Sequence, residues 1–227
     1  IDASRFFLRQ AQKLISLLAL STPSGSLYEV DIRLRPDGAK GLLVSSMESF
    51  EHYQKQRAWT WELQALVRAR AVAGDPSLCG HFERTREALL AVERDSGPLL
   101  AEISAMRRRM RAELDRSDDR HYDLKHGRGG LTDIEFFLQA QILLHANRVP
   151  ELARERETLA VIAYLRHAGI MDAPQAGTIA EAYERLLSAG LHCHLDNSRR
   201  VVPNSAALSR MADEVAAVLA GFHLSFD

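Results

Sequence analysis

Apolar positions recur at helical spacing along most of the chain and at strand spacing in one stretch. Near the start, Phe6, Phe7, Ala11, Leu14, Ile15 and Leu18 share one face at a period near 3.6, which predicts an amphipathic helix. The breaker cluster from Ser21 to Gly25 ends it. From Leu27 to Arg35 the period becomes two. Tyr28, Val30, Ile32 and Leu34 fall on one side and Glu29, Asp31, Arg33 and Arg35 on the other, the pattern of a half-buried strand. Pro36-Asp37-Gly38 turns the chain, and Gly41 to Val44 reads as a short partner strand. From Ser46 onward the helical period returns. It covers Ser46–Gly74 with a break near Ala58, Pro76–Asp95, Pro98–Leu114, Thr132–Asn147, Glu157–Gly169, Ala176–Asp196 and Ser205–Phe226. Ser46 is placed to cap its helix, and Thr132-Asp-Ile-Glu135 fits a capping box. Residues 115–130 are polar and glycine-rich and read as a long functional loop.

The class this predicts is mainly α, a helical bundle following a short β fragment. Residues 1–45 form the β-containing piece and 46–227 the bundle. A two-stranded hairpin is marginal by itself. The strand from Leu27 therefore reads as the tail of a sheet whose earlier strands lie outside the chain. An opening at Ile1 without Met agrees, so the chain reads as a fragment.

Composition narrows the functional classes. The 227 residues are 46% hydrophobic and 26% charged, ordinary for a globular protein. A net charge of −1 leaves no basic excess to drive nucleic-acid or membrane binding, so neither is expected as a partner. No apolar run approaches the length of a membrane span. Two cysteines and the lack of a signal-peptide pattern near Ile1 point to a reducing, cytoplasmic setting.

Two constellations could carry chemistry. In Glu29-Val-Asp31-Ile-Arg33-Leu-Arg35, Asp31 is followed at i+2 and i+4 by guanidinium groups. A carboxylate there can ligate a hard cation and the arginines can hold phosphate oxygens, as phosphoryl or nucleotidyl transfer requires. An exposed sheet face with cross-strand ion pairs explains the same residues. In Asp123-Leu-Lys125-His126-Gly127-Arg128-Gly129-Gly130, a glycine pair runs into a helix start, where free N–H groups can cradle an anion and Lys125 adds charge. An ordinary glycine loop followed by first-turn acids fits equally well. Asp133 and Glu135 point roughly 200° apart on a helix and form no simple chelating pair. His192-Cys193-His194 has the residue types of a metal site without its spacing. Arg107, Arg108, Arg109 and Arg111, interleaved with Met106 and Met110, read as one solvated helix face.

Three stretches bring these features together: LYEVDIRLRPDGAKGLLVSS from Leu27, YQKQRAWTWELQALVRARAVAGD from Tyr53, and DLKHGRGGLTDIEFFLQ from Asp123. In that order they resemble the bifunctional glutamine synthetase adenylyltransferase/adenylyl-removing family, specifically its C-terminal, adenylylating half. The resemblance implies a polymerase-β-like nucleotidyltransferase sheet, of which the strand from Leu27 is the tail. It also implies transfer of AMP from ATP to a tyrosine of glutamine synthetase, with Mg2+ or Mn2+ assisting, in the regulation of nitrogen assimilation. Asp31 would be the third catalytic carboxylate and a metal ligand. Arg33 would assist it catalytically, and Arg35, Lys125, Gly129 and Gly130 would bind nucleotide. Asp133 and Glu135 would support that loop. The bundle would contact glutamine synthetase and the PII signal protein. The family's first motif, a Gly-Ser turn followed by an Asp-x-Asp pair, does not precede Asp31, so this chain by itself is expected to be inactive. A helical docking module for glutamine synthetase or PII, and the family's phosphorolytic adenylyl-removing half, are the competing expectations.

Overall fold

The structure is a computed structural model that describes residues 2–23, 25–26 and 28–226, and helices make up most of it. The chain divides into two compact units, 1–65 and 66–227.

In the first unit, α1 (Ala3–Leu18) starts where Asp2 accepts the Ser4 N–H at 3.0 Å. Its apolar face forms as the spacing predicts, yet none of its residues is buried. β1 (Ser21–Thr22) and β2 (Gly25–Ser26) make a two-residue antiparallel pair. A 3-10 turn (Gly38–Lys40) precedes α2 (Met47–Gln56), capped by Ser46, whose hydroxyl accepts the Ser49 N–H. The chain breaks at residues 57–59, and α3 (Thr60–Arg68) follows, its last three residues already belonging to the second unit.

The strand expected over 27–35 does not form. Leu27 lies outside the described residues, while residues 28–33 are irregular and Gly41 to Val44 makes no partner strand. Alternation specifies a strand only when a neighbour takes its ladder bonds. Tyr28, Ile32 and Leu34 stay 56%, 40% and 64% exposed, so the face they were expected to bury remains largely open to solvent.

The second unit is a helical assembly around one buried helix. Its elements are α4 (Pro76–Leu90), α5 (Ser96–Leu114), β3 (His121–Asp123), α6 (Leu131–His145), α7 (Glu151–Arg154), α8 (Thr158–His167), α9 (Ala173–Leu195), β4 (Val201–Pro203) and α10 (Ala206–Gly221). α6 is apolar on nearly every side because α5, α7, α8 and α9 all pack against it. Phe137 is fully buried there and meets Phe222 edge-on at 5.1 Å. β3 and β4 pair antiparallel, Tyr122 opposite Val202, and pin the 115–130 loop to the α9–α10 connection. The capping box expected at Thr132 is corrected. Gly130 is the N-cap and Thr132 already lies inside the helix. No helix among the described residues is long and apolar enough to cross a membrane.

Candidate functional site

The residues singled out by sequence fall into two clusters, one in each unit. In the first, Asp31 and Arg33 meet side by side. Arg33 Nε donates to Asp31 Oδ1 at 3.0 Å and Nη2 to Oδ2 at 2.7 Å, while the Arg33 backbone N–H adds a bond to Oδ1 at 2.9 Å. This forked pairing matches the planar geometries of guanidinium and carboxylate. The hydrogen bonds from Arg33 hold the Asp31 carboxyl down at about 2, so it is ionised at any physiological pH. Half of the Asp31 side chain remains open to solvent. It can accept a proton or meet a cation from that side.

Arg35 is turned to the main chain. It donates to the Ile32 carbonyl and, at 3.2 Å, to the Gly41 carbonyl, which staples the turn beyond Pro36. As for a metal, Asp31 offers one carboxylate whose two oxygens already accept from Arg33. The described residues hold no group of three or more His, Cys, Asp or Glu side chains that could bind a metal ion. The described residues therefore do not make a complete divalent-cation site. Cys193 is buried, whereas His192 and His194 are exposed on α9.

In the second unit, α5, α6 and the glycine loop are tied by a buried charge knot. Asp133 Oδ1 accepts from Arg107 Nε at 2.7 Å, and Oδ2 accepts from Arg111 Nη2 and from the Gly129 N–H at 2.7 Å. Arg107 Nη2 continues to the His126 carbonyl at 2.8 Å. Burial pushes the Asp133 carboxyl up, and the two guanidinium groups and the Gly129 N–H oppose that push. The solvated arginine face expected on α5 is thereby corrected. Arg107 has no exposed surface and Arg111 is mostly buried, while Arg108 and Arg109 face solvent.

The start of α6 is occupied by the chain itself. The Leu131 and Thr132 N–H groups donate to the Leu124 and Lys125 carbonyls, each at 3.0 Å, and Gly130 N–H donates to the Gly127 carbonyl. The anion at this helix terminus is Asp133. Gly129 takes a left-handed φ of +69° against α10, where a Cβ would lie 2.6 Å from the Ala212 carbonyl oxygen. The glycine is required by close backbone packing, independently of any bound anion. Lys125 is exposed beside this knot. Glu135 lies on a different face of α6 and borders a small gap with Arg68 and Arg156.

Sequence reasoning missed the other buried arginine. Arg86 donates to the Leu66 carbonyl at 2.6 Å, the Ala153 carbonyl at 2.6 Å and the Val67 carbonyl, and burial pulls it down to about 10. Those partners are main-chain groups remote in sequence, so no side-chain pattern announces them.

Two family profiles match successive parts of the chain. Residues 1–85 match the family profile described as glutamate-ammonia ligase adenylyltransferase. Residues 101–217 match the one described as GlnD PII-uridylyltransferase. The chain is 45% identical over 226 residues to the bifunctional glutamine synthetase adenylyltransferase/adenylyl-removing enzyme of Stenotrophomonas maltophilia (strain K279a), covering 100% of the chain and 24% of that protein. It is 46% identical over 226 residues to the same-named protein of Xanthomonas axonopodis pv. citri (strain 306), with the same coverage. With that of Xanthomonas oryzae pv. oryzae (strain MAFF 311018) it shares 47% over 210 residues, 92% of the chain and 22% of the relative. The chain thus spans about a quarter of the length of the curated relatives it matches.

Proposed function

Because the chain belongs to the family of bifunctional glutamine synthetase adenylyltransferase/adenylyl-removing enzymes, we propose that it is part of a nucleotidyltransferase moving AMP from ATP to a tyrosine of glutamine synthetase. The observation that supports this reading is the Asp31–Arg33 pair, a fully ionised carboxylate held from one side and open on the other. A carboxylate so placed can accept the tyrosine proton as its oxygen attacks the α-phosphate and pyrophosphate leaves. Arg33 fixes its orientation, and Arg35 shapes the turn that follows. The divalent ion such a transfer needs requires carboxylates beyond those described here. The 66–227 unit would then serve as a rigid partner-facing body toward glutamine synthetase and PII. Its match to a profile named for a PII-modifying enzyme supports that assignment.

The test is intact-mass spectrometry of glutamine synthetase incubated with ATP and the full-length protein carrying this chain. Asp31→Asn should abolish the added AMP while far-UV circular dichroism stays unchanged. Normal adenylylation by that variant would end the reading. The relatives' names also carry adenylyl removal, so the variant belongs in the reverse assay too, with modified glutamine synthetase and phosphate. Loss there, with transfer intact, would assign the chain to removal.

A further inference from the structure

A cleft of about 560 Å³ opens in the first unit beside the turn after Arg35. Asp37 stands on one wall at a left-handed φ of 60°. Its carboxylate accepts a 2.9 Å bond from Arg57. The Arg57 guanidinium lies over the Tyr53 ring, 5.6 Å from its centroid, and the buried Tyr53 hydroxyl donates to Glu62 at 3.0 Å. Asp37 and Arg57 are thereby anchored to a fixed ring. Ser45, Glu48, Ser49 and His52 complete the polar lining; Ser49 accepts from the Ser46 hydroxyl, while the Ser45, Glu48 and His52 side chains have no hydrogen bond or ion pair among the described residues.

We propose that this cleft holds the nucleoside part of the ATP, with the Asp37 and Glu48 carboxylates accepting from the ribose hydroxyls. The proposal rests on the nucleotidyltransferase reading above. The volume falls in the range of small-ligand sites. Ionised carboxylates only accept, so the ligand must supply donors, and a vicinal diol supplies two. The Arg57 side chain is 62% exposed, and its planar cation is suited to stacking on an aromatic base. Two carboxylates against one guanidinium make the cleft a poor home for a bare phosphate.

The decisive measurement is equilibrium binding of ATP and of 2′,3′-dideoxy-ATP to the full-length protein, in wild type and in Glu48→Gln. Wild type should prefer ATP by about tenfold or more, the scale of one hydrogen bond to a charged group. Glu48→Gln should weaken ATP by about tenfold and leave the dideoxy nucleotide nearly unchanged, so the preference collapses. Glu48 is exposed in the first turn of α2, so glutamine there should leave the fold intact. Arg57→Ala is the second variant and should weaken both nucleotides alike. Equal effects of Glu48→Gln on both nucleotides, or none on either, would overturn the proposal. So would a raised KM for the protein substrate alone, which would mark the cleft as a seat for a basic side chain. AMP transfer, scored separately, keeps the two ideas apart. Transfer with diol-blind binding sinks the cleft and spares the enzyme reading, and diol-dependent binding without transfer does the reverse.

Discussion

A carboxylate with two guanidinium bonds and one backbone bond behaves differently from one that merely lies near a positive charge, and Asp31 shows how. All of these bonds come from one residue two positions away, so the pair is local and survives without a sheet beneath it. The sign of its pH dependence follows. A carboxyl depressed from 3.8 to about 2 adds its contribution at ordinary pH and loses it as pH falls through about 2. A 13C titration of the Asp31 carboxyl should show a midpoint near 2, and Arg33→Ala should return it toward 3.8. An unchanged midpoint in that variant would mean that something other than Arg33 holds the charge. Gly129 makes the opposite point, a residue whose backbone is the functional part. Gly129→Ala places a Cβ 2.6 Å from the Ala212 carbonyl oxygen at a left-handed φ. It should cost about 3 kcal/mol, from the αL penalty and overpacking together, read as a shift in urea midpoint. A neutral substitution would show that α10 can yield there.

Helices were legible wherever period and caps agreed. Ser46 before α2, the break at residues 57–59 and the polar start of α10 at Ser205 all stand where side-chain pattern puts them. The elements that escaped are short. α7 has four residues, and β3 and β4 three each, too few for a period of 3.6 or of 2 to repeat even twice. The run from Tyr28 failed in the other direction. Its alternation is perfect, but a strand is a property of pairs, and a single sequence shows only one partner. Arg107 was misread because a helix face carrying Arg107, Arg108 and Arg109 looks solvated, and only the fold reveals that Asp133 meets the first of them. The candidate site divides similarly. The Asp31–Arg33 pairing is local and could be anticipated, whereas the Asp37–Arg57 bond spans twenty positions. Arg86 shows what such long-range bonds do for an element. It closes the last turn of α3 by binding the Leu66 and Val67 carbonyls and ties that end to α7 through Ala153. Arg86→Met keeps much of the volume but leaves three buried carbonyls short of a donor, and should cost about 3–5 kcal/mol. Amide exchange just beyond α3, at Ala69 and Ala71, should quicken more than in α9. A loss below about 1 kcal/mol would mean that those carbonyls find other donors.

At the scale of the molecule, burial is distributed very unevenly between the units. Nearly every fully buried apolar side chain, from Leu90 and Ile103 to Phe137 and Val215, belongs to residues 66–227. Among the described residues of 1–65, Tyr53 is the one buried hydrophobic side chain, while Phe6, Phe7, Leu14, Tyr28 and Leu34 are more than 45% exposed. Folding entropy of about 1–2 kcal/mol per residue must be offset by burial, and a unit with one buried ring has little with which to offset it. The two units should therefore differ in autonomy. A fragment beginning at Thr60, which keeps α3 whole, should unfold in one cooperative transition at nearly the Tm of the 227-residue chain, monitored at 222 nm. Residues 1–59 by themselves should show no cooperative transition. Within the full-length protein, amide exchange over residues 28–45 should be slower than in this chain, because the Tyr28–Ile32–Leu34 face would there meet further structure. Equal exchange in both would mean that this segment is irregular by nature. Asp31 would then act from a flexible arm, where the longer protein would otherwise hold it on a rigid strand.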